Sequence, residues 1–535
     1  MKQAKRRRRR NLDVKLNMID RAIEYIAPVH AMRRMKSRIA MAYVGGYIGA
    51  RKDRRATSEW STKGYSADSD ILPDLPVLRQ RSRDLIRNAP LAGGAINTTV
   101  TSVVGTGLKL HSRIDRDVLS MTEEEADAWE AKTEREWKLF AELKDCDVSR
   151  ILSFPYIQDL VFRQVLENGD SFVLLPRISR KNQPYTLRLQ VVEGDRVCNA
   201  DNVRDTMTLS GGIKKNEYGA PIEYHILNQH PGNIYSSKGR SWGKVPAFGK
   251  NTGLRNVIHL YRVLRPGQTR GVPFLASVIE PIKQLSKYSE AEIDAAVISA
   301  MFTVFIKSET GEGELAPMEP DSEVGGSSSD EDYKLASGAI LGLAPGEEIQ
   351  IANPGRPNQV FDPFVQSILR QIGVNLEIPF EILIKHFTAS YSAARAALLE
   401  AWKFFRSRRT WLADNFCQEI YEIWMYEAVA KGRIAAPGYF EDPIIRKAYQ
   451  GAEWVGPSKG MIREGEEVDA AGKRVIYGFS TRAYETMQMN GMDWEKVHRQ
   501  LVKENKMRQE LMPEQVAVTE NEEPDEKGDL EDETE

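Results

Sequence analysis

Apolar side chains recur at helical spacing between residues 274 and 301. Leu275, Val278, Ile279, Ile282 and Leu285 fall on one face, and Lys283, Lys287, Glu290 and Asp294 lie elsewhere. That spacing predicts a helix with a single buried stripe. The helix is preceded by RPGQTRGVP, residues 265–273. Pro266-Gly267 predicts a type II turn, because glycine accepts the positive φ that its third position requires. Pro273 is placed to open the helix, where a missing N–H costs nothing. Pro281, inside the stripe, predicts instead a kink or a start at Glu280. Phe361, Phe364, Val365, Ile368, Leu369 and Ile372 mark a second helix. A third and longer one is predicted over 391–430, with Leu398, Trp402, Phe405, Leu412, Phe416, Ile420 and Ile423 as its stripe.

Elsewhere the pattern is mixed. Weak helices are predicted over 14–26 and 31–43, followed by a polar loop, ATSEWSTKGYSADSD. LRQRSRDLIRN reads as a basic amphipathic helix, broken at Asn88-Ala-Pro. Ile96, Val100, Val103 and Val104 stripe the next helix, Gly105-Thr-Gly107 ends it, and LKLHSRI alternates as a strand. A helix acidic at its start covers 122–146, as the helix dipole favours. Residues 150–262 are read as β-rich, with strands at SFVLLPRI, TLRLQVVE, IEYHIL and NVIHLYRV between turn clusters. TVFIK is a short strand, and GAILGL with EEIQIA reads as a small hairpin after a polar segment at 307–332. Short helices close the chain, the last of them capped by Asp493. Helices, then strands, then long helices predict an α+β protein and not a repeating βαβ fold.

At 535 residues the chain exceeds one typical core. Its 41% hydrophobic and 28% charged residues suit a globular protein, and no apolar run reaches membrane-spanning length. The basic start is not followed by an apolar segment with a cleavage site, so secretion is not expected. Three scattered cysteines, Cys146, Cys198 and Cys417, predict neither a disulfide framework nor a zinc site and suit a reducing compartment. The net charge of −2 conceals segregation: KQAKRRRRR opens the chain, and 514–535 is acidic with Lys527 its only base. The basic run fits either an acidic or nucleic-acid partner or a solvated tail.

No phosphate loop, HExxH, CxxC or GxSxG occurs, so no catalytic residues, cofactor or metal are predicted. His225 and His230 flank a predicted turn and read as ordinary strand-end histidines. Arg406, Arg408 and Arg409 in the long helix fit DNA phosphates, intersubunit ion pairs or a solvated face.

Four segments carry a resemblance. HLYRVLRPGQTRGVPFLASVI is similar to the portal proteins of the lambda family of tailed bacteriophages. RSRDLIRNAPLAGGAINTTVTSVVGTGLKL resembles that family's N-terminal signature. The block from LAPGEEIQIANPGRPNQ to YSAARAALLEAW resembles its centre, and WVGPSKGMIREGEE with GMDWEKVHRQLVKE its C-terminal block. The likeness covers about residues 76–505.

The resemblance implies a structural DNA conduit and not an enzyme. It implies an elongated subunit with an α/β wing, a two-helix stem, a small clip insert and a helical crown. Such subunits assemble into a ring, dodecameric in the mature particle, at one capsid vertex. The expected divisions are a basic arm at 1–75, wing 76–273, first stem helix 274–302, clip 303–359 and second stem helix 360–379. A tunnel loop and long wing helix then occupy 380–431, the crown 432–511 and an acidic tail 512–535. Implied partners are double-stranded DNA, the terminase large subunit, capsid and scaffold proteins, and head-completion or tail proteins, with no membrane. The expected location is the virion, with assembly in the host cytoplasm.

On this reading the DNA-facing candidates are Lys385, His386, Arg395, Lys403, Arg406, Arg408 and Arg409. The terminase-docking candidates are Glu312, Glu314, Asp330, Glu331, Asp332, Glu347 and Glu348. Arg265, Pro266, Gly267, Gln268, Arg270, Gly271, Tyr391, Ser392 and Arg395 are structural motif positions, with the elbow a hinge between wing and stem. The alternatives are a DNA-processing enzyme with an unrecognised carboxylate site, and a capsid or scaffold adaptor.

Overall fold

A computed structural model describes residues 25–43, 63–234, 239–300, 304–308, 347–351, 361–387, 390–460, 463–492 and 494–511, with isolated positions between 23 and 61. The chain divides into two units, Met1–Ser66 and Ala67–Glu535. The first holds helix α1 (Pro28–Tyr43), close to its predicted span. All that follows concerns the second, a mixture of helices and small antiparallel sheets.

Helix α2 (Ala67–Ile71) occupies the end of the segment expected to be a loop. Helices α3 (Leu75–Asn88) and α4 (Pro90–Val103) are separated by Ala89, which is extended because a proline follows it. Gly105 and Gly107 end α4 at positive φ and release strand β1 (Lys109–Ser112). Helix α5 (Glu123–Ala141) starts with a capping box between Thr122 and Glu125.

The β-rich reading of 150–262 missed a helix. Residues Phe154–Asn168 form α6, among the most deeply buried elements of the protein. Phe154, Ile157, Val161, Phe162, Val165 and Leu166 are all buried on one face, a spacing of three and four. Pro155 lies in its first turn and Gly169 ends it at φ 90°. Strand β2 (Asp170–Leu174) leaves directly from that glycine. It is the centre of a three-stranded antiparallel sheet, between β3 (Gln190–Glu193) and β8 (Val257–Tyr261).

Alternate residues of β2 serve two cores. Val173 joins the main one, built around α4, α6 and the long C-terminal helices, whereas Phe172 joins a smaller one with Val192, Val197, Ile213, Tyr224, Ile226, Ala247 and Val257. A four-stranded antiparallel sheet closes the smaller core: β4 (Leu209–Ser210), β5 (Ile213–Lys215), β6 (Pro221–Leu227) and β7 (Trp242–Pro246).

Helix α7 covers Ile279–Ala300, after a single 3₁₀ turn at Ala276–Val278. Pro281 therefore sits in its first turn, where the absent N–H breaks no helical hydrogen bond. The expected start at Pro273 is thus displaced to Ile279. Strands β9 (Val304–Ser308) and β10 (Glu347–Ile351) pair antiparallel. EEIQI thus has TVFIK as a partner, and GAILGL lies outside the described residues.

Helix α8 (Phe361–Asn375) runs antiparallel to α7. Tyr288 stacks on Phe361 with centroids 5.4 Å apart, and Ser277 near the start of α7 bonds Asn375 at the end of α8. After a short helix, α9 (Phe380–Leu383), comes α10 (Tyr391–Leu412). A π-helical segment, Ala413–Cys417, joins α10 to α11 (Gln418–Ala430), giving the continuous helix predicted over 391–430. Trp137 anchors it, lying edge-on to Tyr421 and Trp424 at 5.7 and 5.1 Å. Helix α12 (Pro443–Tyr449) precedes strand β11 (Ala452–Val455), which pairs antiparallel with β1. Helices α13 (Glu464–Ile476), α14 (Arg482–Asn490) and α15 (Trp494–Leu511) complete the described chain.

Candidate functional site: the elbow and the basic helix

The elbow forms the predicted turn. The Gln268 N–H donates to the Arg265 carbonyl at 3.2 Å, and Gly267 sits at φ 76°, as position three of a type II turn demands. The Gln268 side chain then satisfies both arms of the loop. Its Oε1 accepts from the N–H groups of Leu264 (2.8 Å) and Arg265 (3.2 Å), and its Nε2 donates to the carbonyls of Arg262 (3.2 Å) and Arg270 (2.8 Å). All four hydrogen-bonding positions of one buried amide are filled.

Beneath the turn lies a buried charge cluster that the residue pattern did not disclose. Asp170, fully buried at the start of β2, accepts from Arg270 Nε at 2.5 Å and Arg79 Nη2 at 2.7 Å. Arg270 also donates to the carbonyls of Val197 (2.8 Å), Gly211 (2.7 Å) and Gly194 (2.7 Å), and Arg79 to that of Asn168 (2.8 Å). Burial opposes the Asp170 charge, but the two guanidiniums outweigh it and hold the carboxyl far below the usual range. Burial pulls Arg79 down to about 10, which leaves it charged at neutral pH.

His259 stacks between Phe172 and Tyr261, centroids 4.1 and 4.3 Å away, with Nε2 3.5 Å from Asp170. Its burial lowers the imidazole pKa to about 4 despite that carboxylate. The imidazole is therefore neutral at physiological pH.

Two further contacts fix the elbow. Gly271 packs on Gly169 so closely that a Cβ added at 271 would lie 1.9 Å from the Gly169 oxygen. Asp68 of α2 accepts from the Thr269 N–H at 2.7 Å and from Lys215 at 3.2 Å, and Asp70 pairs with Arg265 at 2.5 Å. Sequence reading missed Asp68, Asp70, Arg79 and Asp170. These contacts hold the elbow, expected as a hinge between wing and stem, on both sides as a locked joint. It fixes the direction in which α7 leaves the sheet.

The structure separates the seven predicted DNA-facing residues. Lys385 and His386 are exposed on the turn after α9, with Lys385 at φ 56°. Arg395, Lys403 and Arg406 are exposed on α10, and Lys403 pairs with Glu400 at 2.7 Å. Arg408 and Arg409 do not fit a DNA-facing role. Arg408 is 6% exposed, lies over the Phe404 ring at 4.8 Å and pairs with Glu377 at 3.2 Å. Arg409 donates to the last carbonyls of α4, Ser102 at 2.9 Å and Val103 at 3.1 Å, and lies 4.9 Å over Trp402. Burial lowers both to about 10 without neutralising them. They tie α10 to the rest of the protein.

Arg395, Trp402 and Arg406 line one side of a cleft of about 420 Å³ between α10 and helices α13 and α14. Of the other motif positions, Ser392 is exposed near the start of α10, and Ser390 caps that helix through its carbonyl, which accepts from Ala394 at 3.0 Å. Tyr391 begins the helix. Glu347 and Glu348 lie on β10, opposite Ser308 and Lys307, and Glu312, Glu314, Asp330, Glu331 and Asp332 lie outside the described residues.

His225 and His230 have separate carboxylate neighbours, Glu223 at 3.1 Å and Glu193 at 3.6 Å. Among the described residues no group of three potential ligands gathers for a metal, and no helix is long and apolar enough to cross a membrane.

The family described as "Phage portal protein, lambda family" matches residues 53–409. The chain is 27% identical to portal protein B of Escherichia phage lambda over 487 residues, covering 86% of this chain and 89% of that one. It is 26% identical to the portal protein of Escherichia phage N15 over 470 residues, 83% and 87% of the two chains. Among solved structures, a chain from the neck of the empty gene transfer agent particle covers 82% of this chain and 98% of its own, at 12% identity and TM-score 0.44. One from the native particle's neck covers 78% and 93%, at 11% identity and TM-score 0.41.

Proposed function

Because the chain belongs to the lambda family of phage portal proteins, we propose that copies of it form a ring, dodecameric in the mature particle, at one vertex of the phage head. The ring is the channel through which double-stranded DNA is packaged and later ejected. It acts by shape and charge and catalyses no reaction.

The observation that carries this reading is the locked joint between the sheet and the antiparallel pair α7–α8. Ring closure repeats one heterologous contact, so every subunit must present its parts at the same angle. An elbow fixed by Gln268, Arg270 and Asp170 supplies that constancy. In this assignment 76–273 is the wing and α7 and α8 are the stem. Residues 303–359, including β9 and β10, are the clip, which docks the terminase large subunit, with Glu347 and Glu348 among its acidic contacts. The stretch from α9 to the start of α10 is the tunnel loop, with Lys385 and His386 as candidate DNA contacts, and Lys403 further along α10 is a third. The pairing of β11 with β1 supports starting the crown after residue 455, at the helices from Glu464, and not at 432. Capsid, scaffold and head-completion or tail proteins are the remaining partners.

Electrostatics agree with a sliding channel. Each phosphate held by a cation slows translocation and adds salt dependence. Arg408 and Arg409, engaged internally, are withheld from a passing duplex. The test is genetic. Heads assembled without the chain are expected to contain no DNA, and complementation in trans to restore packaging. Full heads in its absence would refute the reading.

A further inference from the structure

Helices α13 to α15 bury very little. Among the described residues of 464–510 only Ala471 and Glu485 are buried, and Glu485 is held by Arg474 at 2.8 and 2.6 Å. Helix α15 starts on the subunit, where Trp494 lines a small recess with Tyr484 and Met487. From His498 to Glu510 every side chain is exposed, Leu501, Val502 and Met507 among them. A helical stretch of that length with nothing packed on it is marginal in water. Trp494, Val497 and Leu501 recur at i, i+3 and i+7 and form one stripe. Trp494 and Val497 are half-buried, whereas Leu501 is 47% exposed, so the stripe runs past its own seat.

Helix α13 carries a second bare face. Its Glu467 and Arg474 line the cleft against α10, and Ala471 is buried. Val468, Asp469, Gly472 and Ile476 share the opposite side by their spacing of three and four. Val468 is 48% exposed and Ile476 80%. A Cβ added at Gly465 or Gly472 would meet nothing within 4 Å, so no other described part of the chain covers this face. The two bare faces differ in charge. From Glu464 to Gly472 α13 has four acids and no base. Glu466 pairs with Arg463 and Glu467 lies 3.7 Å from Lys459, which leaves Glu464 and Asp469 without a hydrogen-bonding or ion-pair partner for their side chains among the described residues. From His498 to Leu511 α15 has four bases against two acids, and the side chains of Lys503, Lys506 and Arg508 likewise have no partner among the described residues.

We propose that, in the ring, α15 of one copy packs from His498 onward along the exposed face of α13 of the next copy. A heterologous contact needs two different, complementary patches on one chain. These helices supply them: an apolar ridge with surplus bases on α15, and an apolar face with unpaired acids on α13. A different protein would cover one patch at a time. The next copy covers both, since each copy gives one and receives one. Exposed ion pairs of this kind set the register, and burial of Leu501, Val468 and Ile476 supplies the attraction. The contact rests on the ring reading and gives α15 its packing only on assembly.

The experiment puts the photo-crosslinking residue p-benzoylphenylalanine in place of Leu501 in the full chain and mixes it with isotope-labelled copies before assembly. Peptide mass spectrometry is expected to join position 501 of one copy to α13 of another. Leu501→Asp and Ile476→Asp are each expected to raise the concentration for half-assembly about tenfold or more, the effect of losing one central contact. The helix content of the monomer is expected to stay unchanged in both. If an aspartate unfolds the subunit, Leu501→Ala and Ile476→Ala are read the same way, with a smaller rise expected. Rings in which position 501 labels only its own copy or another element would overturn the contact and leave the channel reading standing. So would rings that assemble equally well with every variant, or label in assembled heads on a different protein. Monomers at every concentration would overturn the channel reading, and this contact with it.

Discussion

Replacing Asp170 with Asn removes one negative charge and almost no volume. Two guanidiniums then face a neutral amide. Each keeps other acceptors: Arg79 the Asn168 carbonyl, and Arg270 those of Gly194, Val197 and Gly211. The loss is therefore mainly Coulombic. At an effective dielectric constant near 20, a pair about 4 Å apart contributes roughly 4 kcal/mol, so two pairs contribute about 8. Relief from burying the carboxylate, several kcal/mol, offsets part of this. A net loss of about 3–5 kcal/mol remains, the range for breaking a buried ion pair from one side. If the wing unfolds as a unit of about 150–250 residues, Tm falls by roughly 6–20 °C. Differential scanning fluorimetry of the purified chain at pH 7.5 reads this directly. A shift under about 2 °C would refute the claim that this cluster locks the elbow.

Further outcomes follow from the same geometry. Gly271→Ala places a Cβ inside the Gly169 carbonyl contact, so it is expected to destabilise as strongly as Asp170→Asn and to reduce assembly in native mass spectrometry. Arg409→Ala frees two α4 carbonyls and is expected to cost about 1–3 kcal/mol by urea unfolding, whereas Arg406→Ala, exposed and unpaired among the described residues, stays within about 0.5. Acid destabilises the fold below about pH 6.5. His259 has a folded pKa of about 4, below its unfolded value near 6.5, so the unfolded chain binds the extra proton and stability falls as pH drops through that window, by about 3 kcal/mol in all. Asp170, depressed in the fold, adds a further loss below pH 4. His259→Phe is expected to flatten the pH 4–6.5 limb of a Tm–pH curve.

The long helices were legible because burial imposed a regular stripe on them. Leu275, Val278, Ile282 and Leu285 are buried as their spacing required, and Pro281 is tolerated because the helix starts only two residues before it. Helix α6 was overlooked for a different reason. Its run FPYIQDLVFRQVLEN meets the strand DSFVL with only Gly169 between them, so the β-branched and aromatic content of both was read together. The pair Pro155 and Gly169 was the available signal. The elbow's turn was readable because a turn is local. Its lock was not, because Asp170 lies 100 residues from Arg270 and 91 from Arg79, and no local pattern encodes that meeting. Arg408 and Arg409 show the converse. Adjacent cations in an amphipathic helix read as a solvated or DNA-facing patch, yet acceptors from Glu377 and α4 bring both inward.

The central claim is a ring with a channel. Cryo-electron microscopy of the purified full-length chain measures it most directly. The expected image is a closed ring around a lumen wide enough for duplex DNA, with α7 and α8 as its stem and Lys385 and His386 toward the lumen. Monomers at every concentration and salt, or a closed assembly without a through-channel, would contradict the account.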